Sequence, residues 1–300
     1  MNAIASNGKV LLVAPLLSLL ISGATLLSAA EVTKEDIQTA WNARTEQLSK
    51  FRIEWLHEQH ISQGAFSASP FGLNPKAIHP AADIVLESAK SLTYDHRKMR
   101  RESSGDIFSE VADGGHDLVR YDRTASWDGK RLRSLYFSGG GNPYASIKIR
   151  GSDRFVSADE NLPLKTLSAE LPFLLPLRSY RITGTTEEEG KTYLVLTKRT
   201  PPGFVPEEVW LQATPPYLPV KFLVRSPARI AYETTVEYAT DDQGRNYPNF
   251  WTVRCFDEVG NLRIQNISKV TSIDFDPATT DEDFHLDFPD GIEVRDDTAR

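Results

Sequence analysis

A single cysteine in 300 residues, Cys255, rules out an internal disulfide, so the fold is held by its core. A basic surplus is also missing. Lys and Arg number 34 against 41 Asp and Glu, a net charge of −7, which leaves no electrostatic footprint for nucleic acid or an anionic membrane surface. The zinc-peptidase pattern of two histidines four apart on a helix is absent. His57-Glu58-Gln59-His60 spaces them by three, and in a strand they point to opposite faces, so no metal is expected there. His79, His96, His116 and His285 are scattered without a second ligand at a metal spacing.

No nucleophile elbow is present either. Ser103-Ser104-Gly105 and Ser138-Gly139-Gly140-Gly141 do not fit G-x-S-x-G between a strand and a helix. The second run, through Pro143, reads as a flexible connection after a strand. It is no phosphate loop, since neither a helix nor Lys-Ser/Thr follows. Cys255 alternates with Val253 and Trp251 and reads as a buried structural thiol. Asp274-Phe275-Asp276 and Asp281-Glu282-Asp283 lack the spacing and central glycine of an EF-hand, so a solvated acidic end is expected, with weak calcium binding as the alternative. Asn266-Ile267-Ser268 is a sequon, but lies mid-strand. No catalytic residue, metal ligand or cofactor site emerges, and the expectation is a protein that is not an enzyme.

What is present begins with a leader. Lys9 is the only charge before an apolar run from Val10 to Leu27, which Pro15, Ser18, Ser22 and Gly23 interrupt. Ser28-Ala29-Ala30 then supplies small residues for cleavage before Glu31. Residues 1–30 are read as a signal peptide, with an uncleaved N-terminal anchor as the alternative. A lipobox cysteine is absent there. The expected product is exported, periplasmic or extracellular, and soluble after cleavage. It retains about 270 residues, read as a single domain over 31–300.

Thr33 to Lys50 predicts a helix with Thr33 as N-cap, Asp36 three residues on, and Ile37, Trp41 and Leu48 near one face. Phe51, Ile53 and Trp55 then alternate as in a strand, and residues 62–82 form a long loop rich in Gly, Pro, Ser and Ala. From Leu92 onward period-2 segments dominate. Trp127-Asp128-Gly129-Lys130 marks a hairpin, and Asn161 to Arg178, apolar with prolines, reads as short helical turns capping the sheet. Ile230 to Tyr238 alternates cleanly, as in an antiparallel sheet with one wet face. In EVWLQATPPYLPVKFLV (Glu208–Val224), Pro215 and Pro216 suit a turn, so this stretch predicts two strands and not a PxxP ligand. The fold class is mainly β (α+β): one large curved antiparallel sheet with a helix on its concave side.

The helix containing Trp41, the F-R-I-E-W of Phe51 to Trp55 and the pairing of EVWL with YLPVKF are distinctive together. So is the ending VTSIDFDPATTDEDFHLDFPDGIEVRD (Val270–Asp296). In these the chain resembles bacterial proteins of the LolA/LolB/RseB type, the outer-membrane lipoprotein-sorting superfamily, and in particular its larger exported members. The resemblance implies an unclosed β half-barrel whose opening is plugged by helices. It also implies a lipid or lipoprotein acyl chain bound in the cavity, and no catalysis.

Three readings follow: an exported binder of a lipophilic group, an envelope interaction or sensor protein using the same fold without transport, and, least favoured, an exported hydrolase. Trp55, Trp210, Phe222 and Tyr232 are the candidate lining residues, chosen for size and strand position; the alternative is that such residues simply fill the core.

Overall fold

The computed structural model describes residues 32–65, 80–96, 98–110, 116–139, 141–148, 177–198, 208–226 and 229–296. Thr33 starts helix α1 (Lys34–Gln47) with a reciprocal capping box. Its hydroxyl accepts from the Asp36 amide at 3.2 Å, and the Asp36 carboxylate accepts from the Thr33 amide at 2.8 Å. Ile37, Trp41 and Leu48 are buried, and the chain passes directly into the first strand.

Among the described residues fourteen strands make one sheet. They are β1 (Lys50–Ile61), β2 (Ile84–Asp95), β3 (Lys98–Glu110), β4 (His116–Trp127), β5 (Leu132–Ser138), β6 (Gly141–Lys148), β7 (Tyr180–Glu188), β8 (Lys191–Lys198), β9 (Glu208–Gln212), β10 (Pro219–Ser226), β11 (Arg229–Thr240), β12 (Asn246–Phe256), β13 (Leu262–Asp274) and β14 (Glu293–Asp296). Their order is β14-β6-β5-β4-β3-β2-β1-β13-β12-β11-β10-β9-β8-β7, so the sheet does not close on itself and is an unclosed half-barrel. Two meanders, β2–β6 and β7–β13, flank β1, whose pairing with β13 joins them.

Recurrent turn chemistry sets the hairpins. Asp128, Asp241 and Asp257 each accept, through Oδ1, from two backbone amides of the following turn at 2.7–3.0 Å. Gly129, Gly244 and Gly260 supply the left-handed residue, at φ +94°, +81° and +90°. Between β9 and β10, Thr214 to Leu218 forms the expected turn, closed by Gln212 N–H to Leu218 O at 2.9 Å.

The structure departs from the sequence expectation in several places, among them Cys255, read as buried and here half-buried in β12. Ser138 to Pro143 is expected as a connection after a strand, but β5 runs to Ser138, β6 starts at Gly141, and these two residues pair. Gly139 N–H donates to Arg120 O at 2.8 Å. The C-terminal segment is also more than an acidic end. It crosses the sheet, turns through a 3-10 segment (Asp281–Phe284) and adds β14 beside β6 in the one parallel pairing among the described strands. Arg100 holds it through the carbonyls of Asp283 and His285, and Ser126 Oγ donates to Phe284 O at 2.6 Å. Most of the 62–82 loop, and residues 161–176 of the apolar proline-containing stretch, lie outside the described residues. Leu177–Ser179 is a 3-10 turn.

Two predictions follow from this frame. Gly105 of β3 lies so close to β2 that an added Cβ would collide with Glu87 O and Ser88. Gly105→Ala should lower the unfolding free energy by about 1–3 kcal/mol, read by urea denaturation. The Asp257 carboxyl is pulled down to about 2: burial pushes it up, but hydrogen bonds from Asn261, Val259 and Arg263 outweigh that. Because the folded value lies below the ordinary 3.8, this stabilisation is present above 3.8 and is lost as pH falls toward about 2. The fall of Tm across that window should be shallower in Asp257→Asn.

Candidate functional site

Alternation divides the sheet into two faces, and cross-strand register extends each face over every strand. On β1 the residues Phe51, Ile53, Trp55 and His57 are buried while Arg52, Leu56 and Glu58 are exposed. The first set defines the inner face.

From β7 to β13 that face is apolar. One row runs Ile182, Leu196, Val209, Phe222, Thr234, Val253, Asn266, and beside it Val236 and Trp251 face Ser268. Trp55 meets Trp251 across β13, with ring centroids 5.8 Å apart. Both are only 1 % exposed. Helix α1 is fixed at the ends of these strands: Trp41 Nε1 donates to Tyr217 O at 3.1 Å, and Arg44 donates to Asn246 O at 3.1 Å. Burial pulls the Arg44 pKa down to about 10, with Tyr238 opposing it. The indole N–H of Trp251 is buried and has no acceptor among the described residues. A buried donor left unmet is uncommon and calls for an explanation.

From β1 to β6 the same face turns polar. Trp55, Lys90, Ser103, Arg123, Tyr136 and Tyr144 lie in a single cross-strand row. Lys90, Ser103 and, one row away, Arg101 are buried. Tyr121 and Tyr136 stack at 6.1 Å, and Tyr136 and Tyr144 lie at 5.3 Å. At the junction of the halves His57 Nδ1 lies 2.8 Å from Ser268 Oγ, and Gln59 Nε2 donates to Asn266 Oδ1 at 3.0 Å. The His57–Ser268 pair joins residues 211 apart in sequence and pairs two buried polar groups. Among the described residues no group of three His, Cys, Asp or Glu could hold a metal ion.

Of the four lining candidates, Trp55, Phe222 and Tyr232 share the inner face, and Phe222 is 4 % exposed. Trp210 lies on the opposite face. There its indole donates to Glu208 at 2.6 Å, Lys221 Nζ sits 4.3 Å from the ring centroid, and Lys221 pairs with Glu188. The sequence reading missed Trp251, the polar row and a trough of about 440 Å3 across β1–β4. Leu56, Ala89, Ser104 and Asp122 line one side of the trough and Glu54, Ser91, Glu102 and Thr124 the other, and the row between them, Trp55, Lys90, Ser103 and Arg123, also lines it. Cross-strand identity could have exposed the row only once register was known.

No family model and no curated protein matches the chain in sequence. Solved structures similar to it include a LolA superfamily protein from Nitrosomonas europaea, at 12 % identity and TM-score 0.42, over 85 % of this chain and 98 % of that one. MucB in complex with MucA is similar at 11 % identity and TM-score 0.21, over 85 % of this chain and 60 % of that one. A β-barrel-like protein from Brucella abortus follows at 10 % identity and TM-score 0.25, over 76 % and 98 %. The superfamily that the sequence resembles is thus among these neighbours. At these overlaps the likenesses carry no weight in assigning a function; the two faces of the sheet do.

Trp251→Ala should cost about 3–5 kcal/mol in urea denaturation, as removal of a buried aromatic does. Trp210→Ala should cost about 1–2 kcal/mol, since its hydrogen bond and cation–π contact sit at the surface. The reverse order would contradict the assignment of faces.

Proposed function

We propose that the protein is an exported, non-enzymatic binding protein of the cell envelope. It takes up a lipophilic group, a lipoprotein acyl chain being one candidate, between α1 and the inner face where β1, β13 and β12 meet. The observation that carries this is Trp251: a buried indole N–H with no acceptor among the described residues, set in an apolar wall beside Trp55. A fatty acyl group brings both what such a wall buries and a carbonyl oxygen that the N–H can reach. Trp55 and Trp251 are buried in this structure, and among the described residues α1, 14 residues long, covers the strand ends beside them. A shift of α1 would admit a chain, a change of the kind by which minor open states become populated by ligand.

A second reading, an envelope interaction protein without lipid cargo, draws on the outer trough. That trough is open, and charged and hydroxyl-bearing side chains line it, as at a polar protein interface.

Native mass spectrometry of the purified mature protein, followed by displacement of a fluorescent fatty acid, tests the first reading. Bound lipid and saturable displacement are expected. Trp251→Phe, which keeps the ring size class and removes the N–H, should weaken acyl binding about five- to tenfold. A protein that carries no lipid and displaces no probe would sink the first reading in favour of the second.

A further inference from the structure

We infer that the bound group is an anionic amphiphile, with its carboxylate or phosphate head on Arg123 and its apolar chain directed toward Trp55 and Trp251. This rests on the lipophilic reading above and specifies the chemistry of the ligand.

Arg123 carries the argument. It is half-buried in β4 on the inner face, between Ser103 of β3 and Tyr136 of β5. Among the described residues its guanidinium has neither a hydrogen bond nor an ion pair, while Arg100, Arg120, Arg133, Arg245, Arg254 and Arg263 all have partners. A guanidinium drawn partly out of water without a counter-charge is costly unless an anion arrives to meet it. The four inner-face rows that begin at Phe51, Ile53, Trp55 and His57 carry no Asp or Glu among their described residues on β1–β6. Lys90, which has contacts of its own, adds positive field on the same row.

The surroundings suit a head group. Ser103 supplies a hydroxyl on the neighbouring strand, Tyr136 stands opposite Arg123 on β5, and Tyr121, two residues before Arg123 on β4, stacks on Tyr136. Burial foremost pushes the Tyr136 phenol up, with Tyr144 and Tyr121 reinforcing it against Ser138 and Arg123, so it stays a neutral donor at physiological pH. Tyr144, 54 % exposed, opens this end of the row to solvent. Arg123 and Trp55 are three strands apart, roughly 14 Å, a span that an acyl chain bridges along the row. Head and tail therefore meet two chemically different halves of one face.

The test uses the delipidated mature protein and calorimetric titration with three probes: dodecyl phosphate, laurate and monolaurin, which has the same chain and an uncharged head. Inorganic phosphate is a fourth arm. Dodecyl phosphate and laurate should bind at least tenfold more tightly than monolaurin, and phosphate alone far more weakly than dodecyl phosphate. In Arg123→Gln the ratio of anionic to neutral affinity should fall to about one, and in Arg123→Lys it should be partly kept. Equal affinities for the three amphiphiles in the unmodified protein would overturn the head-group assignment while leaving the lipophilic reading intact. Binding of inorganic phosphate as tight as that of dodecyl phosphate would replace it with a site for a free anion. Failure of every amphiphile to bind would remove the lipophilic reading itself. The head-group preference is measured on the unmodified chain, so a poorly folding variant does not leave the question open.

Discussion

The pairing of β1 with β13 is the contact on which the rest depends. It brings Arg52–Ile61 beside Ile264–Asp274, residues about as far apart as the described chain allows. Each meander can form from local hairpins, but only this ladder makes them one sheet and one inner face. Closing so long a loop costs entropy that grows slowly with length, so the ladder and the side chains across it must offset it. Trp55 tilted against Trp251, His57 on Ser268 and Gln59 on Asn266 are the residues placed to do so. The same seam separates the apolar from the polar half of the inner face. An amphiphile bound along it would lie across the junction that holds the molecule together.

This arrangement also explains why the two faces differ in tolerance. The outer face of β8–β12 is a mosaic of Thr, Glu, Lys and Arg tied by pairs such as Arg254–Glu233 and Lys221–Glu188, each partly exposed and each of small energetic weight. The inner face holds the large buried aromatics, and with them most of the hydrophobic stabilisation. The edges are protected differently. Strand β7 is irregular at Thr183, between Ile182 and Gly184, and ends in Glu187-Glu188, whereas β6 is covered by β14. Both devices limit pairing with other chains.

Where structure is set locally, the sequence reveals it. The capping box of Thr33 and Asp36, the alternation in Phe51–Trp55, the Asp-Gly turn at Asp128 and the two-strand reading of EVWLQATPPYLPVKFLV all depend on neighbours a few residues away. The half-barrel was legible as a sheet, and its unclosed form came through resemblance and not through periodicity. Register was not legible. Nothing local in LVRYD or LRSLYFS says that Arg123 will stand opposite both Ser103 and Tyr136, or that Trp251 will face Trp55 across an intervening strand. The parallel return of β14 is equally non-local, since its four residues are exposed and carry no apolar pattern. Trp210 shows the limit of choosing by size: the ring is large, but strand parity turns it to the wet face.

The central claim is that the inner face at the β1–β13–β12 seam receives an acyl chain. Photo-crosslinking with a diazirine-bearing fatty acid, mapped by peptide mass spectrometry, tests it directly. Labels are expected on inner-face residues of β1 and β12, with Trp55 and Trp251 among them, competed away by unlabelled fatty acid. Labels confined to the outer trough around Leu56 and Ala89, or none that compete, would contradict it.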